Sequence, residues 1–316
     1  MLSVVVLTYN SDPEKIKLTL LSILMQKNID PEIIVSDDGS AENHFDDIEK
    51  LFEEMDFRNY IMLSSDTNNG TVKNVCRAMG KCSGDYVKLI GPGDFFCDDH
   101  VLCEWYGFMK TNRYAVSFGD AVFYSLKDDG IAIHDAAHQP QKMEPYLNDN
   151  FKMKKILYLI YGDYISGSAL MFERDCLERY VTLLADKVRL AEDLAVRLII
   201  GDDIDIKYYK KTVIFYEYGS GVSTSGDDKW YMFFRKEVQA VNTILHERIK
   251  HDWFGIRCRI CDRISERFRN KYIVLGTRYL LYPSLLRYRH SAVCKTVTEN
   301  VDVSFYSEIC RKRNEL

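Results

Sequence analysis

Within its first hundred residues the chain repeats one unit: a short apolar run, then a longer stretch with helical signals. The runs are Leu2 to Thr8 (LSVVVLT), Glu32 to Ser36 (EIIVS), Tyr60 to Ser64 and Asp85 to Ile90 (DYVKLI). They are too short for helices, and the first two are nearly continuous in apolar residues, the pattern of strands buried on both faces. Helices are predicted from Asp12-Pro13 to about Gln26, through the polar stretch to about Met55, and from Gly70 to Lys81. Pro13 sits where a first helical turn tolerates it. Strands joined by helices at this spacing make βαβ units, so the fold class is α/β with a mostly parallel central sheet flanked by helices.

Ligands of such sheets bind beyond the carboxyl ends of the strands. Thr8-Tyr9-Asn10, Asp37-Asp38-Gly39-Ser40 and Gly91-Pro92-Gly93-Asp94 all stand where a predicted strand stops. Three polar clusters at three strand ends predict a single site.

The pattern changes after Val101. A helix to Lys110, a strand near Tyr114 to Tyr124 and a polar loop to about Asp149 come first. A helix at Phe151 to Tyr161, the extended segment Tyr164 to Phe172 (YISGSALMF), a helix at Ala191 to Ile200 and a strand at Asp205 to Tyr218 follow. These mixed strands read as a second half stacked on the first. Beyond the Gly- and Ser-rich stretch Gly219 to Asp228, residues 226–316 read as a helical extension. Its segment 250–290 carries ten Lys and Arg against three Asp and Glu, interleaved with aromatic residues.

Composition excludes some functions. A net charge of -5 argues against a general nucleic-acid binder. No run approaches the ~20 apolar residues of a membrane span. Nine cysteines in no framework spacing, with no export signal, fit a reducing cytosol. Cys258 and Cys261 have CxxC spacing but no second pair at zinc-site distance, so they read as buried thiols.

The strings Val4 to Asn10 (VVVLTYN) and Ile34 to Ser40 (IVSDDGS) are followed by Asn68-Asn69-Gly70, Gly84-Asp85-Tyr86, Asp94 and Ala191-Glu192-Asp193-Leu194. In this order and spacing they resemble inverting family 2 glycosyltransferases of bacterial polysaccharide biosynthesis, over roughly residues 1–225. The resemblance implies a GT-A fold, with a nucleotide-binding half at 1–100 and an acceptor half at 101–225. It also implies transfer of a sugar from a nucleotide-sugar, a UDP-sugar first, to a hydroxyl of a glycan or lipid-linked glycan acceptor on the cytoplasmic face of the membrane.

Roles follow from the same resemblance. Asp37 and Asp38 stand where the family binds base and ribose, and Thr8, Tyr9 and Asn10 line that pocket, with Tyr9 against the base. The competing reading of Asp37-Asp38-Gly39-Ser40 is an ordinary turn. The leaving diphosphate calls for Mg²⁺ or Mn²⁺, which prefers carboxylate and water oxygens. The family's acidic motif is here Gly91-Pro92-Gly93-Asp94, which leaves Asp94 as the metal ligand, with Gly93 beside the donor. Lys73 and Arg77 are candidates for the phosphates, with a solvated helix face as the alternative.

Asp193 takes the general-base position and Glu192 positions acceptor or sugar; the alternative is a pair of acids favoured by a helix dipole. Ser166, Gly167 and Ser168 resemble a strand that contacts donor sugar or acceptor, and Gly221-Val222-Ser223 a loop that folds over the donor. His134 and His138, four apart in a polar loop, read as surface residues. Residues 250–290 make an anionic membrane surface a candidate partner, the other reading being a helical cap with a solvated basic face. Two alternatives stand beside the main reading. One is a catalytically silent nucleotide-sugar binder, for which the loss of acids at Gly91 and Gly93 argues. The other is a sugar-phosphate nucleotidyltransferase, which the absence of a Gly-rich loop after the first strand disfavours.

Overall fold

The computed structural model describes residues 1–127, 130–135, 139–219, 228–268, 270–289 and 301–316. His138, Gly221, Val222 and Ser223 lie outside the described residues.

The first half follows the repeat read from the sequence. Strands β1 (Leu2–Thr8), β2 (Glu32–Asp37), β3 (Tyr60–Ser64) and β4 (Tyr86–Ile90) alternate with helices α1 (Pro13–Leu24), α2 (Phe45–Glu54) and α3 (Thr71–Met79). Asp12 caps α1, its side chain accepting from the Glu14 amide, with Pro13 in the first turn. β1 lies between β2 and β4, and β3 flanks β2, all parallel. The register sets Thr8 opposite Asp37 and Val6 opposite Ile90, so the polar clusters leave the sheet at one edge.

The second half adds β5 (Phe95–Phe96), α4 (Val101–Asn112), β6 (Val116–Lys127), β7 (Gly130–Ile133), α5 (Glu144–Leu147) and α6 (Phe151–Ile156). A π-helical turn at Leu157–Tyr161 and a 3₁₀ turn at Gly167–Ala169 lead to β8 (Leu170–Glu173) and α7 (Arg174–Leu184). A second 3₁₀ turn, Glu192–Leu194, opens α8 (Ala195–Gly201), which precedes β9 (Ile206–Glu217). These strands do not stack on the first half as a separate layer. β8 inserts antiparallel between β4 and β6, and the described strands form one sheet ordered β3-β2-β1-β4-β8-β6-β9-β5, with β7 beside β6. The continuous extended segment expected at Tyr164 to Phe172 is broken, because Gly167–Ala169 coils before pairing begins at Leu170.

Helices α9 (Asp228–Arg248), α10 (Trp253–Arg267) and α11 (Lys271–Leu281), a 3₁₀ turn at Pro283–Tyr288 and α12 (Ser304–Glu315) complete the described chain. They share the core of the sheet. Val241, Leu245, Cys258 and Leu285 join the apolar cluster that contains Val5 and Ile34. Phe305 and Ile309 of α12 join the cluster on the opposite face, with Val4, Val6 and Ile33. Adjacent residues of β1 and β2 thus feed different clusters, as a two-faced buried strand requires.

Candidate active site

A cavity of about 390 Å³ opens at the carboxyl ends of β1 and β4, bordered by Thr8, Tyr9, Asp38, Asp94, Ser168 and Glu192. That volume is within the range of small-ligand sites. Residues more than a hundred positions apart thus meet at the edge where the sheet topology places ligands.

On the β1–β2 side the two aspartates do different work. Asp37 is fully buried. Its carboxylate accepts from the Thr8 hydroxyl at 2.9 Å, the Ser40 hydroxyl at 2.5 Å, and the amides of Gly39 and Ser40 at 3.1 and 2.8 Å. Its carboxylate bonds hold the turn and tie it to β1, and it does not border the cavity. Asn10 ties the same turn to β1: its amide donates to Ser40 Oγ at 2.7 Å and its Oδ1 accepts from the Ala41 amide. Asp38 borders the cavity and accepts from the amides of Asn69 and Gly70, at 3.2 and 2.7 Å. Tyr9, 47% exposed, offers its ring at the mouth. Arg77 lies beneath, its guanidinium donating to the Asp37 carbonyl and to Asn74 Oδ1, both at 2.6 Å.

Asp94 forms the floor on the β4 side. It accepts from the Ser168 hydroxyl and, at 3.0 Å, from the Glu217 amide. Burial pushes its carboxyl up to about 6, although both hydrogen bonds and nearby Lys88 pull the other way. Gly93 has φ +98°, and a Cβ there would lie 2.4 Å from a carboxylate oxygen of Glu217. Glycine is required there by the backbone conformation, and a larger side chain would displace the Glu217 carboxylate. Glu217, at the end of β9, fills the volume that a side chain at position 93 would take, and Lys15 holds both its oxygens at 2.6 and 2.8 Å. Below them Lys88, fully buried, donates to the carbonyls of Leu89 and Ser168 at 2.7 and 2.6 Å. Burial drags its ammonium down to about 7, against the pull of Asp94 and Glu192.

The donor set bears on the divalent cation. Among the described residues no three His, Cys, Asp or Glu side chains group as a metal cage. Mg²⁺ ordinarily keeps several waters and takes one or two carboxylates along with substrate phosphates. Asp94, with Glu217 beside it, fits that count.

Glu192 and Asp193 occupy the 3₁₀ turn before α8 and face Gly167. A Cβ on Gly167 would approach Glu192 Oε1 to 3.2 Å and Asp193 Cβ to 3.4 Å. Burial raises both carboxyls, and for Glu192 the neighbouring Asp193 charge adds to the rise. Asp193 is restrained by the Leu194 amide hydrogen bond and also feels Glu237. Two adjacent carboxyls of this kind titrate as a pair. Tyr158 and Tyr164 stand close enough for the Asp193 charge to raise their phenols, after the larger effect of burial.

Several sequence candidates lie elsewhere. Lys73 is half-exposed, with Nζ 3.7 Å from Asp186, and is not part of the cavity wall. Ser166 is buried behind Gly167 and Ser168, which do border the cavity. His134 pairs with Ser125 on the β6–β7 hairpin at 2.9 Å. Cys258 and Cys261 are buried in the core, where burial pushes their thiols up to about 12 and about 11. Sequence reasoning passed over Lys88, Lys15 and Glu217. Lys88 had a signal, since it is a lone charge inside an apolar strand and charges are seldom buried without a purpose. The Lys15–Glu217 pair had none, because their partnership is set by the fold across 202 positions.

Residues 3–181, more than half of the chain, match the glycosyl transferase family 2 model. The chain belongs to that family and is a glycosyltransferase of GT-A fold. No curated protein sequence matches the chain. Among solved structures, residues 1–349 of TarS from S. aureus in complex with UDP-GlcNAc are similar at 17% identity. That similarity covers 87% of this chain and 75% of that one, with a TM-score of 0.57. The same TarS segment in complex with UDP covers 91% and 82% at 15% identity, with a TM-score of 0.55. Mannosyltransferase PcManGT from Pyrobaculum calidifontis, in complex with GDP-Man and Mn²⁺, covers 90% and 75% at 14% identity, with a TM-score of 0.57. At these identities the likeness shows a shared fold.

Proposed function

We propose that the chain is an inverting glycosyltransferase that moves a sugar from a UDP-sugar to an acceptor hydroxyl in surface polysaccharide or glycolipid synthesis. The observation that carries this reading is the single cavity where Asp38, Asp94 and Glu192 converge from three separate parts of the chain. The UDP and UDP-GlcNAc complexes of the TarS structures favour a uridine donor, while the GDP-Man complex keeps guanosine as the alternative. Family membership sets the nucleotidyltransferase alternative aside.

In this reading Asp38 and the Thr8-Tyr9 backbone and ring receive the nucleoside, and Asp37 with Asn10 holds the turn that presents them. Mg²⁺ or Mn²⁺ at Asp94 would supply Lewis-acid charge against the leaving diphosphate. Asp193 accepts the proton of the acceptor hydroxyl as its oxygen attacks the anomeric carbon, and the nucleoside diphosphate departs from the opposite face. Glu192, raised by burial and by the neighbouring Asp193 charge, can donate a hydrogen bond to the sugar or acceptor when the pair carries a proton. Residues 1–225 are the catalytic part and 226–316 a helical extension. Its exposed apolar and basic residues on α10 and α11 dock the enzyme on the anionic cytoplasmic face of a membrane, near a lipid-linked acceptor.

A UDP-release assay over a panel of UDP-sugars, with Mn²⁺ or with EDTA, tests the reading on wild type and Asp193→Asn. The expected result is metal-dependent release from one donor, reduced by about a hundred-fold or more in the variant. Donor binding without release, even with lipid-linked acceptors present, would instead establish a silent nucleotide-sugar binder.

A further inference from the structure

The segment before the Glu192–Asp193 pair is irregular, so its backbone amides have no partners within a helix or strand. Three of them in succession are claimed by one side chain. Glu237, in the interior of α9 and only 5% exposed, accepts from the Arg189 and Leu190 amides through Oε1 at 2.5 and 2.9 Å. Its Oε2 accepts from the Ala191 amide at 3.0 Å. Buried amides left unpaired are costly, and charge-assisted bonds to a carboxylate are among the stronger ones available.

The other side of the segment is also fixed. The Arg189 carbonyl accepts from the Val72 amide at 3.1 Å, and its guanidinium donates to Asn68 Oδ1 at 3.0 Å. Gly70, at φ +93°, leaves room for Arg189: a Cβ there would lie 2.3 Å from Arg189 Cγ. The amide of that same glycine donates to Asp38. Residues 189–191 are thus held between the loop that supports Asp38 and a helix outside the matched family region, 3–181.

We infer that Glu237 is a positioning residue for the transfer reaction, clamping residues 189–191 so that Glu192 and Asp193 face Gly167 and the acceptor. The inference rests on the proposed role of Asp193 as base. It makes α9, in the helical extension, a support for the proposed catalytic pair. The clamp also has an electrostatic consequence, because the Glu237 carboxylate is one of the charges that hold the acid pair in its protonated form. The other groups facing that pair are Lys88 from β4, Tyr158 of the π-helical turn, and Tyr164.

The test uses the full chain with Glu237→Gln, Glu237→Ala, Glu237→Asp and Asp193→Asn, measuring kcat, donor KM, thermal melting and the pH profile of kcat. Glu237→Ala should lower kcat by about ten-fold to a hundred-fold, the scale for a misplaced catalytic group, with donor KM nearly unchanged. Both uncharged variants should move the acid limb of the profile to lower pH. Glu237→Asp, which keeps the charge but is too short for all three amides, should lose kcat without moving the limb. If Glu237→Ala does not fold, the isosteric Glu237→Gln, which can no longer accept from all three amides, decides by its loss of kcat together with the position of its limb. Wild-type kcat and an unmoved limb in the uncharged variants, with Asp193→Asn inactive, would overturn the clamp. Full activity in Asp193→Asn would overturn the base assignment instead, and the kcat of the Glu237 variants would still judge the clamp.

Discussion

Gly93 and Glu217 compete for one small volume, and their arrangement explains the unusual acidic motif of this chain. A glycine in the family's acidic motif reads, in sequence alone, as a loss. In the fold it leaves space for the Glu217 carboxylate of β9, which pairs with the Lys15 ammonium while the Glu217 amide donates to Asp94. The nucleoside side shows the reverse case. Asp37 and Asp38 look equivalent in sequence, yet four hydrogen bonds bind Asp37 into the turn while Asp38 faces the cavity. No rule of spacing separates two adjacent aspartates at a strand end, since the last residue of a strand and the first beyond it diverge only once the turn is built. The Glu192–Asp193 pair yields a pH prediction. A base must be deprotonated, and burial has raised both carboxyls above the ordinary range of about 4. The acid limb of kcat should therefore lie above that range, with activity climbing through mildly acidic pH, as a pH–rate profile would record. Stability has the opposite sign: a carboxyl whose native pKa exceeds its unfolded one loses its contribution as pH rises.

Among the elements, those with strong period and clear ends were legible and those made by tertiary pairing were not. β1 to β4 and α1 to α3 follow directly from apolar runs and cap signals, within a residue or two. β5 is two residues long, and only its pairing with β9 makes it a strand. β7 lies in what reads as a polar loop, and only its pairing with β6 makes it a strand. The basic extension shows how a charge count can mislead. Lys250 pairs with Asp203, Arg259 donates to the carbonyls of His246 and Ile249, Arg278 to that of Tyr161, and Arg287 pairs with Glu144. Arg263, Arg267, Lys271 and Arg289 remain exposed, alongside Trp253 at 75%, Tyr272 at 74% and Leu280 at 80% exposure. Basic residues near an anionic surface contribute about 1 kcal/mol each, and apolar side chains add by insertion. Co-sedimentation with anionic liposomes at low salt should therefore be measurable and should weaken by about ten-fold or more in Trp253→Ala combined with Leu280→Ala. Equal binding to neutral liposomes, or none to anionic ones, would contradict the membrane reading.

For the molecule as a whole, one sheet forms most of the cavity's frame, and the 3₁₀ turn before α8 adds Glu192 to its wall. The parallel half presents Thr8, Tyr9 and Asp38, the turn before β8 brings Ser168 to Asp94, and β9 brings Glu217. The α/β class and a cavity at the strand ends were legible because both follow from local periodicity and strand termini. The continuity of the sheet was not, because an antiparallel insertion leaves no mark on the sequence of either neighbour. Nor was the dependence of the extension on the catalytic core, where Val241, Leu245 and Leu285 complete one apolar cluster and Phe305 and Ile309 the other. The central claim is a single displacement at the anomeric carbon with Asp193 as base. Its most direct test is the anomeric configuration of the first product, followed by proton NMR during turnover of an α-linked UDP-sugar. The expected product is β-configured from the earliest time point, with none formed by Asp193→Asn. An α-configured product would contradict the claim.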